Sequence, residues 1–226
     1  YLKLSEMKKR PIEIVDEELL PFTKAELLEI SKYKNSIYSL PKPKCFTGYQ
    51  NFMKVNDYKD FDDLLLDYFD MIKSKCYAPD FDYIFIDEFQ DTNNLQYQVL
   101  KQLIHQNTYV LAVGDPDQSI YQFRGANSKI IYKYIKDYQA KLYTLSINYR
   151  SSQTIITHAN RLIKRNNRRY QKELIPNNQS KHPVYHLRFS SAIEETLALI
   201  ELIKSLKKKL KKDDEIAILY RNFELD

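Results

Sequence analysis

The chain has 226 residues, enough for one or two domains, and its 43% hydrophobic and 29% charged content argues for a packed core and against disorder. Its formal charge of +5 suits a phosphate-rich partner without requiring one. No apolar run reaches the roughly 18–20 residues of a membrane span, no signal-peptide pattern opens the sequence, and Cys45 and Cys76 lie too far apart to form a ligand pattern, so a reducing cytoplasm is the expected location.

Only three glycines occur, Gly48, Gly114 and Gly125, against a usual share of roughly 7%. No stretch is therefore glycine-rich enough to wrap a triphosphate. The first 55 or so residues read as helices and loops without a clear strand. Thr23 and Glu26 have the spacing of a capping box, and Pro41 and Pro43 then interrupt the chain. Phe61, Leu64, Leu65, Tyr68, Phe69 and Ile72 recur at helical spacing. An α/β alternation follows: a buried strand at 83–86, a helix at 95–104, a strand at 109–113 and a helix at 129–138. A new unit is expected near Lys141, with a strand at 142–145, a helix over about 151–164, a strand at 184–189, a long helix capped by Ser191 and Glu194, and a strand at 216–220. Strands that alternate with helices imply an α/β fold with a mostly parallel sheet.

In such sheets ligands bind beyond the carboxyl ends of the strands, and both central strands end in acids. The first runs Ile86-Asp87-Glu88-Phe89-Gln90-Asp91, the second Val113-Gly114-Asp115-Pro116-Asp117-Gln118. If the strands are neighbours, Asp87, Glu88 and Gln118 gather at one edge of the sheet. A carboxylate there can hold hydrated magnesium, a second can orient or deprotonate an attacking water, and Gln118 can contact a terminal phosphate. Asp115 and Asp117 serve equally well to shape the turn. The second strand end continues as Ser119-Ile120-Tyr121-Gln122-Phe123-Arg124-Gly125-Ala126, in which alternating aromatics and an arginine suit a platform for stacked single-stranded bases.

Together these segments resemble the UvrD, PcrA and Rep family of superfamily I helicases, to which the RecB and AddA nuclease-helicases are related. Residues 83–93 look like motif II, residues 113–126 like motif III with Phe123 where tryptophan is common, and Ser146-Ile147-Asn148-Tyr149-Arg150-Ser151 like motif IV. Asp60-Phe61-Asp62-Asp63-Leu64-Leu65 resembles a further motif, and residues 216–221 a strand of the second motor domain. The resemblance implies parts of two RecA-like (P-loop NTPase) domains with an N-terminal helical insertion segment. The expected boundaries are 1–56 for the helical segment of motor domain one, 57–140 for the C-terminal half of that domain, and 141–226 for the N-terminal part of motor domain two.

By position, the resemblance implies that Asp87 serves magnesium, Glu88 activates the hydrolytic water and Gln118 senses the γ-phosphate of ATP. Arg150 would act as an arginine finger and Tyr149 would stack on adenine. Tyr121 and Phe123 would stack on DNA bases, with Arg124 linking the DNA side to the ATP side. The implied protein is an ATP-dependent, DNA-binding helicase of DNA repair or replication. It would translocate 3′ to 5′ on single-stranded DNA, act on single-strand/duplex junctions, and have repair or nuclease subunits as further partners. Alternatives are a non-catalytic DNA- or partner-binding module, a subunit of a RecB- or AddA-like helicase-nuclease, and a magnesium-dependent nuclease that cleaves DNA without ATP.

One departure stands out. The phosphate-binding loop G-x-x-x-x-G-K-[ST] is absent, since no Gly-Lys pair occurs among the 226 residues. Motifs V and VI are absent too. The chain is thus expected to be the middle of a motor and to have negligible ATPase activity alone. The basic run Lys164-Arg165-Asn166-Asn167-Arg168-Arg169-Tyr170 suits either a DNA-backbone contact or a lead into the next strand. The lysine-rich stretch 204–212 reads as a solvated helix end. His105, His158, His182 and His186 have no metal-like spacing.

Overall fold

Helix starts are set by side chains that accept a backbone N–H of their own first turn, and the computed structural model shows four of them among the residues it describes (13–15, 20–77, 79–122, 125–166, 172–181, 183–212 and 214–219). Thr23 caps α1 (Lys24–Asn35) in a complete box with Glu26, as the spacing predicts. Asp60 caps α3 (Phe61–Lys73) with Asp63, and Asn93 caps α4 (Asn94–Leu103) with Gln96. Ser191 caps α7 (Ala192–Lys207) by accepting the Glu194 N–H, but the Glu194 carboxylate turns to Ser190 instead of completing a box. The remaining helices are α2 (Phe46–Val55), α5 (Lys129–Tyr138) and α6 (Gln153–Ile163).

The fold is α/β, and every described ladder is parallel, though as three two-stranded sheets and not one. A short β1 (Glu13–Ile14) pairs with β2 (Tyr58–Lys59), so the first 55 residues do contribute a strand. Central to the site is the pair β3 (Tyr83–Ile86) and β4 (Tyr109–Ala112), aligned Tyr83 to Tyr109 through Ile86 to Ala112. The third pair is β5 (Ile147–Ser152) with β6 (Ile175–Asn178). The strands expected at 142–145 and 184–189 are irregular, as are the described residues of the one expected at 216–220; Tyr220 lies outside the described residues. Among the described residues none of those segments pairs in a ladder, and apolar chain without a ladder remains exposed chain.

The chain forms two compact units: residues up to Leu145 together with Ile163–Lys172, and Ser146–Leu162 together with the residues from Glu173 onward. In the first unit, three apolar clusters form the core. One joins Leu27 and Ile30 of α1 to Phe46, Tyr49 and Met53 of α2. A second packs Leu66, Phe69 and Ile72 of α3 on Leu95 and Val99 of α4. In the third, Phe89, Tyr97 and Leu100 meet Ile130, Ile131 and Tyr134 of α5, with Ile84, Ile86, Val110 and Ala112 packed beneath. β3 was expected to be buried, but only alternate residues face this core. Tyr83, Phe85, Tyr109 and Leu111 stand on the open face, where Tyr83 stacks on Tyr109 at 5.5 Å between ring centroids. No described helix is long and apolar enough to cross a membrane.

Candidate nucleotide-hydrolysis and strand-gripping site

The two central strands stay stitched beyond their ladder. The Val113 N–H donates to the Ile86 carbonyl (2.8 Å), and the Phe89 N–H donates to the Val113 carbonyl (2.9 Å). Asp87-Glu88 and Gly114-Asp115 therefore leave the sheet side by side, as neighbouring parallel strands require. Asp87 Oδ1 accepts the Glu88 N–H at 2.9 Å. Glu88 itself adopts φ 49° and ψ 42°, a left-handed conformation that costs an L-residue roughly 1–2 kcal/mol. Such outliers persist where surrounding structure over-determines them, often at functional sites. Here the holding groups are the 3₁₀ turn Phe89–Asp91 and its buried Phe89.

Gln90 is only 2% exposed and joins the two strand ends. Its Nε2 donates to Glu88 Oε2 at 2.6 Å, while its Oε1 accepts the Asp115 N–H at 2.8 Å. This close approach explains Gly114. A Cβ there would lie 2.8 Å from Gln90 Oε1 and 3.0 Å from the Phe89 nitrogen. Asp115 then gathers the following turn: Oδ1 accepts the Asp117 N–H (3.0 Å), Oδ2 accepts Gln118 Nε2 (2.8 Å), and Lys172 pairs with its carboxylate. Burial acts to raise the Asp115 carboxyl, but hydrogen bonds from Lys172, Gln118 and the Asp117 N–H outweigh it and hold the group below its ordinary value. Asp115 is thus the turn's organiser. Lys172 Nζ also lies 3.7 Å from the Asp117 carboxylate.

Past this turn the chain closes on itself. The Ala126 N–H donates to the Tyr121 carbonyl (3.2 Å), and Gly125 takes φ 92°, where a side chain would be strained. The Asn127 N–H donates to the Thr92 carbonyl (3.0 Å), and Asn93 bridges Ala126, so the aromatic loop is tied to the segment after Glu88. Tyr121 is exposed. Phe123 and Arg124 lie outside the described residues, as do residues 167–170 of the basic run, His182, and residues 220 and 221.

Behind Asn93 lies a buried polar network. Asn93 Nδ2 donates to Asn35 Oδ1 (2.8 Å), and Asn35 Nδ2 donates to Asp62 Oδ1 (3.0 Å). Next to Asn35, Lys34 is 1% exposed and its ammonium meets Asp60 (2.8 Å), Asp63 (2.6 Å) and the Tyr49 hydroxyl (3.2 Å). The Tyr49 hydroxyl donates to Asp60 as well. Desolvation pushes all three carboxyls up. For Asp60 the Lys34 charge and hydrogen bonds win, and its carboxyl sits below the ordinary range. Asp62 and Asp63 remain above it, with the Asp60 charge adding to the burial. The Asp60-Phe61-Asp62-Asp63 segment therefore anchors helices.

In the second unit, β5 carries a bulge. Residues 148 to 152 span only Pro176 to Asn178 on β6. Asn148 Oδ1 accepts the N–H groups of Arg150 (3.1 Å) and Ser151 (2.8 Å), turning the backbone out of the ladder. Tyr149 is consequently 72% exposed and Arg150 is exposed beside it. Bulges of this kind re-aim side chains next to active sites.

Of the sequence-predicted groups, the structure gathers Asp87, Glu88 and Gln118 at the ends of β3 and β4, and presents Tyr149 and Arg150 on a bulge of the other unit. Magnesium needs little more from protein than one carboxylate, because it keeps several waters and binds phosphate oxygens. Asp87 fits: among the described residues its second oxygen accepts no hydrogen bond. No described cluster of three or more His, Cys, Asp or Glu forms a metal cage. Sequence reasoning missed Gln90 as a bridge, Lys172 as the partner of Asp115, and the pair Lys34 and Asn35. Gln90 had a faint signal, two residues past Glu88 at a strand end. The other three had none: Lys34 lies 26 residues from Asp60, Lys172 lies 57 from Asp115, and Asn35 lies 58 from Asn93.

Comparison with known proteins bears on this arrangement. The family model described as the UvrD/REP helicase N-terminal domain matches residues 5–139, and that of the UvrD-like helicase C-terminal domain matches residues 143–225. The chain is 34% identical over 199 residues to the ATP-dependent DNA helicase PcrA of Staphylococcus epidermidis, covering 85% of this chain and 27% of that protein. It is 33% identical over 236 aligned positions to the probable DNA helicase II homolog of Mycoplasma capricolum, covering 96% of this chain and 33% of that protein. With the PcrA helicase of Staphylococcus aureus the identity is 36% over 182 residues, 78% of this chain and 25% of that protein. The chain thus spans a quarter to a third of the length of these relatives.

Proposed function

Because the chain belongs to the UvrD/REP helicase family, with parts of two RecA-like domains, we propose that it supplies the hydrolytic and strand-gripping middle of an ATP-dependent DNA helicase. That helicase would translocate 3′ to 5′ on single-stranded DNA during repair or replication in the cytoplasm, with single-strand/duplex junctions as substrate. The observation that carries this reading is the joined strand end, in which Glu88, held by Gln90, is linked through Asp115 to Gln118.

Magnesium-bound ATP, when present, supplies an activated terminal phosphoryl group. The chain's own residues would do the rest. Asp87 offers a carboxylate oxygen toward the ion. Glu88 accepts the proton of the attacking water, and its left-handed backbone keeps the carboxylate at the strand end. The Gln118 amide reports the terminal phosphate, and the exposed Arg150 guanidinium stabilises charge developing there, while Tyr149 covers the base. Tyr121, with Phe123, stacks single-stranded bases. Arg124 joins that loop to the nucleotide side.

The test is DNA-stimulated ATP hydrolysis by the full-length helicase that carries this chain. Glu88→Gln should lower kcat by about two orders of magnitude or more while nucleotide and single-stranded DNA still bind. Wild-type-like turnover in Glu88→Gln would refute the assignment. The 226 residues by themselves contain no Gly-Lys phosphate loop and should show no turnover above background; robust DNA-stimulated hydrolysis lost in Glu88→Gln would overturn that expectation.

A further inference from the structure

We propose that Gln90 is a positioning residue that sets the Glu88 carboxylate according to the placement of the turn after β4, and so passes the state of the aromatic loop to the hydrolytic base. The proposal rests on the helicase reading above. Its geometric basis is an unbroken path of hydrogen bonds. Glu88 Oε2 accepts from Gln90 Nε2 (2.6 Å), Gln90 Oε1 accepts from the Asp115 backbone N–H (2.8 Å), and Asp115 Oδ2 accepts from Gln118 Nε2 (2.8 Å).

Three features make this a built relay and not a passing contact. Gln90 is nearly fully buried, so water does not compete for its amide. Both ends of that amide are used with the polarity a glutamine requires, N–H toward a carboxylate and oxygen toward a backbone N–H, so neither Glu nor Met can reproduce the pair. Gly114 leaves the space the amide occupies, since a Cβ would fall 2.8 Å from its oxygen. The far side is equally connected. The Gln90 carbonyl accepts the Ser119 hydroxyl at 3.3 Å, and Ser119 opens the segment that carries Tyr121. A displacement of the Asp115–Ser119 turn when the aromatic loop takes up DNA therefore pulls on Gln90 at two points, and Gln90 holds the base. Among the described residues, the Gln90 amide is the one group that hydrogen-bonds the Glu88 carboxylate.

The experiment compares Gln90→Glu and Gln90→Met with wild type in the full-length helicase, reading kcat and KM for ATP with and without single-stranded DNA. Gln90→Glu keeps the shape and the acceptor for the Asp115 N–H but turns the donor facing Glu88 into a like charge. Gln90→Met keeps volume and loses both bonds. Both should lower the DNA-stimulated kcat at least about tenfold and the ratio of stimulated to basal rate at least about fivefold, with KM for ATP within about threefold. A role in packing alone would scale both rates together, so an unchanged ratio in folded variants overturns the proposal. The second measurement uses the 226-residue chain. The Gln90 side-chain amide resonances, assigned by their loss in Gln90→Met, should shift in Glu88→Ala together with the Asp115 backbone amide. If neither moves, the relay is refuted, whatever the variants' folding. A wild-type protein without DNA-stimulated hydrolysis would sink the helicase reading while this resonance test still decides the Gln90 contact.

Discussion

Replacing Lys34 with methionine tests the buried network hardest. The ammonium is 1% exposed and bonds Asp60 at 2.8 Å, Asp63 at 2.6 Å and the Tyr49 hydroxyl at 3.2 Å. Removing one partner of a buried ion pair costs about 3–5 kcal/mol, mostly through the charge left behind. Asp63 retains 24% of its side-chain exposure, so water relieves part of the penalty and the lower end, about 3 kcal/mol, is expected. Against a usual domain stability of about 5–15 kcal/mol, that is a large fraction. The loss should depend on pH. In wild type, Asp62 and Asp63 titrate above 3.8 in the folded state, so both add stability as pH falls toward that value. Asp60 titrates below it, so its stabilisation holds above pH 3.8 and is lost as pH falls through the lowered value. Without Lys34 the cation that pulls all three down is gone, and the orphaned carboxyls take protons earlier. The gap between variant and wild type should therefore be widest at the higher pH, with the carboxyls ionised, and narrow as pH falls toward 3.8. With no tryptophan in the chain, urea unfolding is followed by circular dichroism at 222 nm, and hydrogen exchange of α1 and α3 amides localises the change. A gap below about 1 kcal/mol at the higher pH, smaller than a removed buried charge allows, or a gap that widens on acidification, would refute the reasoning.

Three further outcomes are expected. Gly114→Ala places a methyl against Gln90 Oε1 and the Phe89 nitrogen and should destabilise the first unit by about 1–3 kcal/mol, measured by urea unfolding. Asn93→Ala removes the cap of α4 and the bond to Asn35; a loss of about 1–2 kcal/mol is expected, and faster amide exchange in the first turn of α4 is the check. Lys172→Met removes a main cause of the lowered Asp115 carboxyl. Wild-type stability from this group is present above 3.8 and lost as pH falls through the lowered folded value, so the variant should lose the steep part of that acid dependence, read from unfolding midpoints between about pH 2 and pH 6.

The site was legible in the sequence where its chemistry is local. Asp87 and Glu88 follow four apolar residues, and a strand end is where a carboxylate can leave the sheet. Gln118 lies one tight turn beyond β4, and Asn148, two residues before Arg150, bends its own backbone through an Asx-type contact. Helix starts were readable for the same reason, since Thr23 and Ser191 satisfy N–H groups within three residues of themselves. Expectations failed where an element needs a partner. Residues 142–145 and 184–189 have the apolar content of strands, yet no neighbouring ladder, and a strand is a property of a pair.

Sequence by itself determined the family, the identity of the acids and of Gln118, and the order of the strands that carry them, because motif spacing and side-chain chemistry are properties of the chain. Only the tertiary structure decided what holds those groups in place. It brings Lys172 to Asp115 across 57 residues, Asn93 to Asn35 across 58, and Gln90 between Glu88 and the Asp115 N–H in space kept clear by Gly114. The physical reason is that a buried amide or ammonium is satisfied by whichever group the packing of helices and strands places within about 3 Å of it, a distance that sequence separation does not encode.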